Sequence, residues 1–213
     1  MFAMLSVVIQ AGGQSSRMGT DKALLPLGGK VLIEYVLAGV AGLGEETLIT
    51  TNSPSGLEHF GLPLVPDRIP GSGALFGLQT ALEAARGAHV LLVACDMPFL
   101  QRPLLEALIA LAHRADVIAP RIDGLFEPLL AVYARERCLL AVQRALDEGQ
   151  RRMISFYPQV DVLALEGERL NALDPKGISF FNINTPQDLA RAEALLAEGH
   201  RRTSESEDGG ISA

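Results

Sequence analysis

The chain has 213 residues, 48 % of them apolar, with few aromatics and no tryptophan. That suffices for a large core of Leu, Ile, Val and Ala, the composition of an α/β protein with buried parallel strands. A net charge of −7 argues against a nucleic-acid duplex as the main partner, although a local cluster of Arg and Lys still suits a small anionic substrate. Cys95 and Cys138 lie far apart and fit no metal spacing, which predicts reduced thiols and a cytoplasmic protein. The apolar start lacks a basic segment and a cleavage-like site, and it is too short to cross a membrane.

In chain order, the continuous apolar run 5–10 predicts a strand buried on both faces, and a Gly-rich loop follows at 11–19. Helical spacing at 32–41 precedes strands at 47–51 and 62–65, the second closed by Pro66. A second Gly-rich turn at 71–77 continues into a helix over 74–86, then a buried strand at 89–94 ending at Cys95-Asp96. A helix over 103–114 has proline in its first turn, and 116–119 is the next strand. Strands at 129–133, 160–165 and 180–183 and a helix at 136–146 make up the second part. Thr185 and Pro186 are placed to start a final helix over 187–197. Strands alternating with helices predict a three-layer, Rossmann-like α/β fold with a mixed, mostly parallel sheet, formed by residues 1–198 as one domain. The polar tail 199–213 is predicted to be disordered, and no repeats are visible.

The first loop reads Gln10-Ala11-Gly12-Gly13-Gln14-Ser15-Ser16-Arg17-Met18-Gly19-Thr20-Asp21-Lys22. It leaves a buried strand at the sheet edge where open α/β proteins bind ligands. Gly12 and Gly13 let backbone N–H groups approach phosphate oxygens, while Arg17 offers a flat fork and Lys22 a movable charge. The spacing matches neither a P-loop nor the dinucleotide fingerprint. The loop resembles the signature of the molybdenum cofactor guanylyltransferases, within the wider superfamily of sugar-phosphate and cofactor nucleotidyltransferases. It departs from that pattern at Gln10, where leucine is usual, and at Val31, where proline is usual. The triplet Ala11-Gly12-Gly13 separates it from the related cytidylyltransferases, which carry Ala-Ala-Gly there.

The resemblance covers roughly residues 5–197 and includes Cys95-Asp96-Met97-Pro98, the Gly73–Gly77 turn and Phe181-Asn182-Ile183-Asn184-Thr185-Pro186. It implies a nucleotidyltransferase acting on GTP and molybdopterin with Mg²⁺. Asp96 stands too far from the next helix for a direct cap, and a carboxylate at that strand end suits a cation on the α- and β-phosphates. By the same resemblance Asp67 contacts guanine, whose N–H donors suit a carboxylate; the alternative is a surface turn. Gln10, Ala11, Thr50 and Asn52 lie at the same edge and border the base or ribose. Asn182 and Asn184 fall on one face of a strand end, to serve metal, phosphates or acceptor, or only to start the helix. Arg151 and Arg152 contact the acceptor's phosphate or pterin, or are surface charges. Arg17, Lys22 and Asp96 form the expected catalytic set, and the four histidines form no cluster. The rival readings are a CTP-dependent enzyme, another phosphate acceptor, and a non-catalytic GTP sensor or cofactor-delivery protein. Transient partners that supply molybdopterin or receive the product accord with its instability when free.

Overall fold

A computed structural model describes residues 4–11, 21–69 and 71–208. In chain order the elements are β1 (Leu5–Gln10), β2 (Pro26–Leu27), β3 (Lys30–Val31), α1 (Leu32–Val40), β4 (Glu46–Thr50), β5 (Leu64–Val65), α2 (Ala74–Ala84) and β6 (His89–Ala94). Then come α3 (Arg102–Ala110), β7 (Val117–Ile122), β8 (Leu125–Phe126), β9 (Leu130–Ala134), α4 (Arg135–Asp147), β10 (Val162–Leu165), α5 (Gly167–Leu173) and α6 (Pro186–Asp208).

The main sheet runs β10-β7-β9-β6-β1-β4-β5, with β8 added to β7. Pairing is parallel except around β9 and at β8, so the expected mixed, mostly parallel sheet is present. Side chains alternate across it as strand geometry requires. Val7, Ile9, Leu91 and Val93 enter a core with Ile33 and Val36 of α1 and Leu104, Leu105 and Leu108 of α3. Val8, Leu48, Val90 and Leu92 enter a second core with Leu75 and Leu78 of α2 and Cys138 and Val142 of α4. Two cores on opposite faces make the three layers. A third, smaller core joins Leu25 and Leu27 of the first hairpin to Leu32, Ile183 and Ala192.

Leaving β1, the chain crosses one face through α1 to β4, then returns through α2 on the other face to β6. Helices diverging to opposite faces open a crevice at the carboxyl end of β1, the usual ligand position in such sheets. Among the described residues no helix is long and apolar enough to cross a membrane.

The sequence places a strand at 180–183, but the structure has a short 3-10 turn, Ile178–Phe180, followed by irregular backbone. The apolar run there is used differently: Ile183 fills the third core and its N–H donates to the Asp96 carbonyl at 3.0 Å, with no ladder beside it. The final helix also runs beyond its predicted end, taking the polar tail as far as Asp208. One interior glycine, Gly199, costs a helix only about 1 kcal/mol relative to alanine, and most residues after it tolerate helix.

Candidate active site

The carboxyl edge of the sheet gathers the predicted residues in strand order. Asp67 follows β5, Thr50 ends β4 with Asn52 just beyond, Gln10 ends β1, and Asp96 follows β6. Because β9 is antiparallel, the segment leading into it, with Glu127, reaches the same edge. Strand spacing puts β5 about 14 Å from β6 across three intervals, a span suited to a nucleotide.

Lys22 links this edge to the C-terminal segment. Asp21 caps the short turn Lys22–Leu24 by accepting the Ala23 N–H at 3.0 Å. Burial raises the Asp21 carboxyl, and that N–H partly offsets the rise. Lys22 Nζ donates to Asp96 Oδ2 at 3.1 Å and to Asn184 Oδ1 at 2.5 Å. Its side chain and that of Asp96 are 23 % and 16 % exposed, so the pair is sheltered yet reachable. Asn184 is set by a reciprocal cap on α6. The Asp188 carboxylate accepts from the Asn184 and Thr185 N–H groups, and the Thr185 hydroxyl accepts from the Asp188 N–H. The Asn184 N–H, the Thr185 hydroxyl, which donates to Asp188 Oδ2 at 2.9 Å, and the Thr185 N–H hold the Asp188 carboxyl below its ordinary range. Thr185 and Pro186 thus start the helix as predicted. Asn182 is not drawn in: its amide donates to the Phe180 carbonyl of its own loop.

On the other side of β1, Asn52 and Asp67 close on each other. The Asn52 amide donates to Asp67 Oδ2 at 2.9 Å, and the Asp67 N–H donates to Asn52 Oδ1 at 3.0 Å. Gln10 and Thr50 lie between the two clusters. The Ala11 N–H donates to the Thr50 carbonyl at 2.8 Å, and the Cys95 N–H to the Gln10 carbonyl at 3.1 Å, so three strand ends are stitched at this level. Gly12, Gly13 and Arg17 lie outside the described residues.

Arg151 and Arg152 share no hydrogen bond or ion pair with the Lys22–Asp96 junction among the described residues. Arg151 lies 5.2 Å from the Phe76 ring centre and donates to the Leu146 and Gln150 carbonyls, which ties it to α2 and α4. Arg152 is exposed.

Glu127 is a neighbour that the sequence left without a role. Burial raises its carboxyl; the Leu129 N–H offsets this in part, and the Asp96 charge adds to the rise. The only hint in the sequence was a polar residue before Pro128. Cys95 is buried, and its thiol is pushed up by burial first and then by Asp96 and Asp21, so it is no nucleophile here. Beyond β7 and β10 a cavity of about 420 Å³ opens, lined by Arg121, Glu166, Asn171 and Phe180 among others. Among the described residues no three His, Cys, Asp or Glu side chains converge on a metal position. A single carboxylate such as Asp96 suits a divalent cation that brings phosphate and water oxygens with it.

Residues 7–162 match the MobA-like NTP transferase domain. A probable molybdenum cofactor guanylyltransferase from Pelotomaculum thermopropionicum is 39 % identical over 194 residues, covering 91 % of this chain and 94 % of the relative. The crystal structure of molybdopterin-guanine dinucleotide biosynthesis protein A from Archaeoglobus fulgidus is similar with a TM-score of 0.77 and 31 % identity, covering 91 % of this chain and 99 % of that one. The 2-C-methyl-D-erythritol 4-phosphate cytidylyltransferase of Thermus thermophilus shares the fold at a TM-score of 0.68 and 22 % identity, over 89 % and 98 % of the two chains. With the family model spanning most of its sheet and relatives matching nearly its whole length, the chain belongs to the MobA-like NTP transferase family.

Proposed function

We propose that this chain is a molybdenum cofactor guanylyltransferase, which transfers GMP from GTP to the terminal phosphate of molybdopterin and forms the guanine dinucleotide cofactor. The observation that carries the catalytic reading is the junction of Lys22 with Asp96 and Asn184. It puts a cation, a carboxylate and an amide together at the carboxyl edge, beside the strand that leads into the Gly-rich loop.

An oxygen of the acceptor's terminal phosphate bonds to the α-phosphorus of GTP. The bond from that phosphorus to the bridging oxygen breaks, and pyrophosphate leaves. Phosphoryl-type transfer needs positioning and charge stabilisation more than a protein nucleophile. Lys22 and Arg17 neutralise charge on the α-phosphate and the leaving group, and Gly12 and Gly13 supply N–H donors to the triphosphate. Asp96 would hold Mg²⁺, which when bound offsets phosphate charge. Gln10, Ala11, Thr50, Asn52 and Asp67 form the base and ribose side. Asn182, Asn184, Arg151 and Arg152 serve the acceptor, and Asn184 also steadies Lys22. Residues 1–198 act as one unit, with the nucleotide on the N-terminal part and the acceptor on the C-terminal part. We place the enzyme in the cytoplasm, in transient contact with proteins that supply molybdopterin or take up the product.

The test is pyrophosphate release with Mg²⁺ and molybdopterin, run with GTP, CTP, ATP and UTP in parallel. Release with GTP alone is expected. Release with CTP alone would keep the mechanism and replace the base, and silence with all four from folded protein would sink the reading.

A further inference from the structure

Strand β7 is antiparallel to β9 and β9 to β6, so β7 and its parallel partner β10 end at the same edge as Asp96. The cavity of about 420 Å³ lies at those two strand ends. On one side the β7–β8 hairpin turns through Asp123 and Gly124, both at positive φ, the conformation that an Asp-Gly pair favours in a two-residue turn. On the other side stands the loop after α5. Its Asp174 is buried and spends both carboxylate oxygens on the Ile178 and Ser179 N–H groups, at 3.1 and 2.8 Å, which seats Phe180 in the cavity wall.

The same loop ties the cavity to the Lys22 junction. Past Phe180, the Ile183 N–H donates to the Asp96 carbonyl and Asn184 Oδ1 accepts from Lys22 Nζ. The four residue steps from Phe180 to Asn184 span at most about 14 Å. An acceptor with its phosphate at Lys22 and a ring system at its far end covers such a span.

The lining selects which end of the acceptor belongs there. Arg121 is its one cation among the described residues, set against Asp123, Glu166 and Asp174. It is already engaged: Nε and Nη2 both donate to the Glu166 carboxylate, and the guanidinium lies 5.6 Å from the Phe126 ring centre. An anionic group would meet more negative charge than positive. A neutral ring with N–H donors meets an acceptor instead. The guanidinium holds the Glu166 carboxyl below its ordinary range, so it stays ionised. The Glu166 side chain is 45 % exposed, and each of its oxygens keeps a second lone-pair site. Ile122, Leu170 and Phe180 supply apolar walls, the usual surroundings of a flat ring.

We propose that this cavity seats the pterin of the acceptor. Glu166 accepts from the ring N–H and the adjacent 2-amino group, Leu170 and Phe180 pack on the ring, and the phosphate reaches back along residues 181–184 to Lys22. This rests on the molybdopterin reading of the acceptor, and goes beyond it in placing the pterin on residues to which that reading gives no part.

The experiment is steady-state pyrophosphate release by the full chain with GTP, Mg²⁺ and molybdopterin, for the wild type, Glu166→Gln and Asn171→Trp, with a thermal melt of each. Two inhibitors are compared: 6-hydroxymethylpterin and the matching lumazine, which carries an oxo group in place of the 2-amino group. The pterin should compete with molybdopterin and not with GTP, and the lumazine should be about tenfold weaker, the worth of one hydrogen bond to a charged group. Glu166→Gln should raise KM for molybdopterin about tenfold, leave kcat and KM for GTP within about threefold, and erase the preference for pterin over lumazine, because its amide donates where the carboxylate accepts. Asn171→Trp fills the cavity from the exposed face of α5 without touching the ion pair. It should raise KM for molybdopterin in the same way, and it carries the test if Glu166→Gln does not fold. If both variants keep the wild-type KM for molybdopterin, or if Glu166→Gln only lowers the melting temperature, the pair is a structural fastening and the proposal is wrong. If the wild type releases no pyrophosphate with any nucleotide, the transferase reading falls and this one with it. Failure confined to the variants removes only the pterin seat.

Discussion

Strands β1 and β4 are paired from Ser6–Glu46 to Gln10–Thr50, and the two ends of that ladder treat buried polar atoms in opposite ways. At the amino end the register pair is Ser6 and Glu46. The Ser6 hydroxyl donates to Glu46 Oε2 at 2.5 Å and accepts the Gly87 N–H at 2.9 Å. The Arg86 N–H and guanidinium both donate to Glu46, at 3.0 and 2.7 Å. At the carboxyl end the pair is Gln10 and Thr50, each with a buried oxygen that has no partner among the described residues. An unmet buried polar group costs about 1–3 kcal/mol. Four residues along the same two strands, then, the chain passes from paired buried polar groups to unpaired ones. The amino end is a fastening, and the carboxyl end is not.

Substitutions at the two ends should therefore separate activity from stability. Lys22→Ala should lower turnover roughly 10²–10³-fold while changing the urea midpoint by the equivalent of less than about 1 kcal/mol. Near-normal turnover would remove Lys22 from the chemistry. Glu46→Ala should do the reverse. It strips the partners from Ser6 and Arg86 and should cost about 2–4 kcal/mol in urea unfolding, with turnover per folded molecule unchanged.

The same carboxylate gives a pH signature. Burial pushes Glu46 up, but the Ser6 hydroxyl and the Arg86 N–H and guanidinium outweigh it and hold the carboxyl below its ordinary range. Its contribution is thus fully present above the unfolded value and fades as pH falls from there through the lower folded one. Asp188 acts in the same sense, and Glu127, raised by burial, in the opposite one. Glu46→Gln should flatten the acid limb of a stability–pH curve, and an unchanged limb would assign it to other carboxyls.

A double-mutant cycle sharpens the contrast further. Gly77→Ala puts a Cβ against the Gln10 amide and should cost about 1–3 kcal/mol. In a Gln10→Ala background the clash is gone, and the same change should gain up to about 1 kcal/mol of helix propensity. Equal effects in both backgrounds would mean that α2 is not seated on Gln10. The smallest effect expected is from Arg151→Ala, which removes the contact with Phe76 and should cost about 0.5–1 kcal/mol at this exposed position.

Much of this was legible in the sequence because apolar runs are local signals. The strand at 89–94 and the alternation of strands and helices need only neighbouring residues, and they agree with the structure. Phe180–Ile183 misleads for the same reason: its composition suits a strand, but its burial comes from α6 and the first hairpin, which no local pattern reveals. The two-residue strands β2, β3 and β8 carry too few residues to show a period, and α5 has little apolar stripe to read. Of the site, Lys22 and Asp96 could be picked out singly, but their contact joins positions 74 residues apart. Glu46 gave no signal, since a charged residue at a strand start looks solvated until Ser6 and Arg86 are placed around it.

Lys22 holds Asp96 from 74 residues away and Asn184 from 162. Chains are made from the N-terminus at about 5–20 residues per second. A nascent chain that has emerged as far as β6 therefore already holds Lys22 and Asp96, while the asparagine that completes the junction is still to be translated. Asn184 arrives later in synthesis, with the capping turn that orients it. The ion pair is available to the growing polypeptide early; the finished junction waits for the segment that leads into α6.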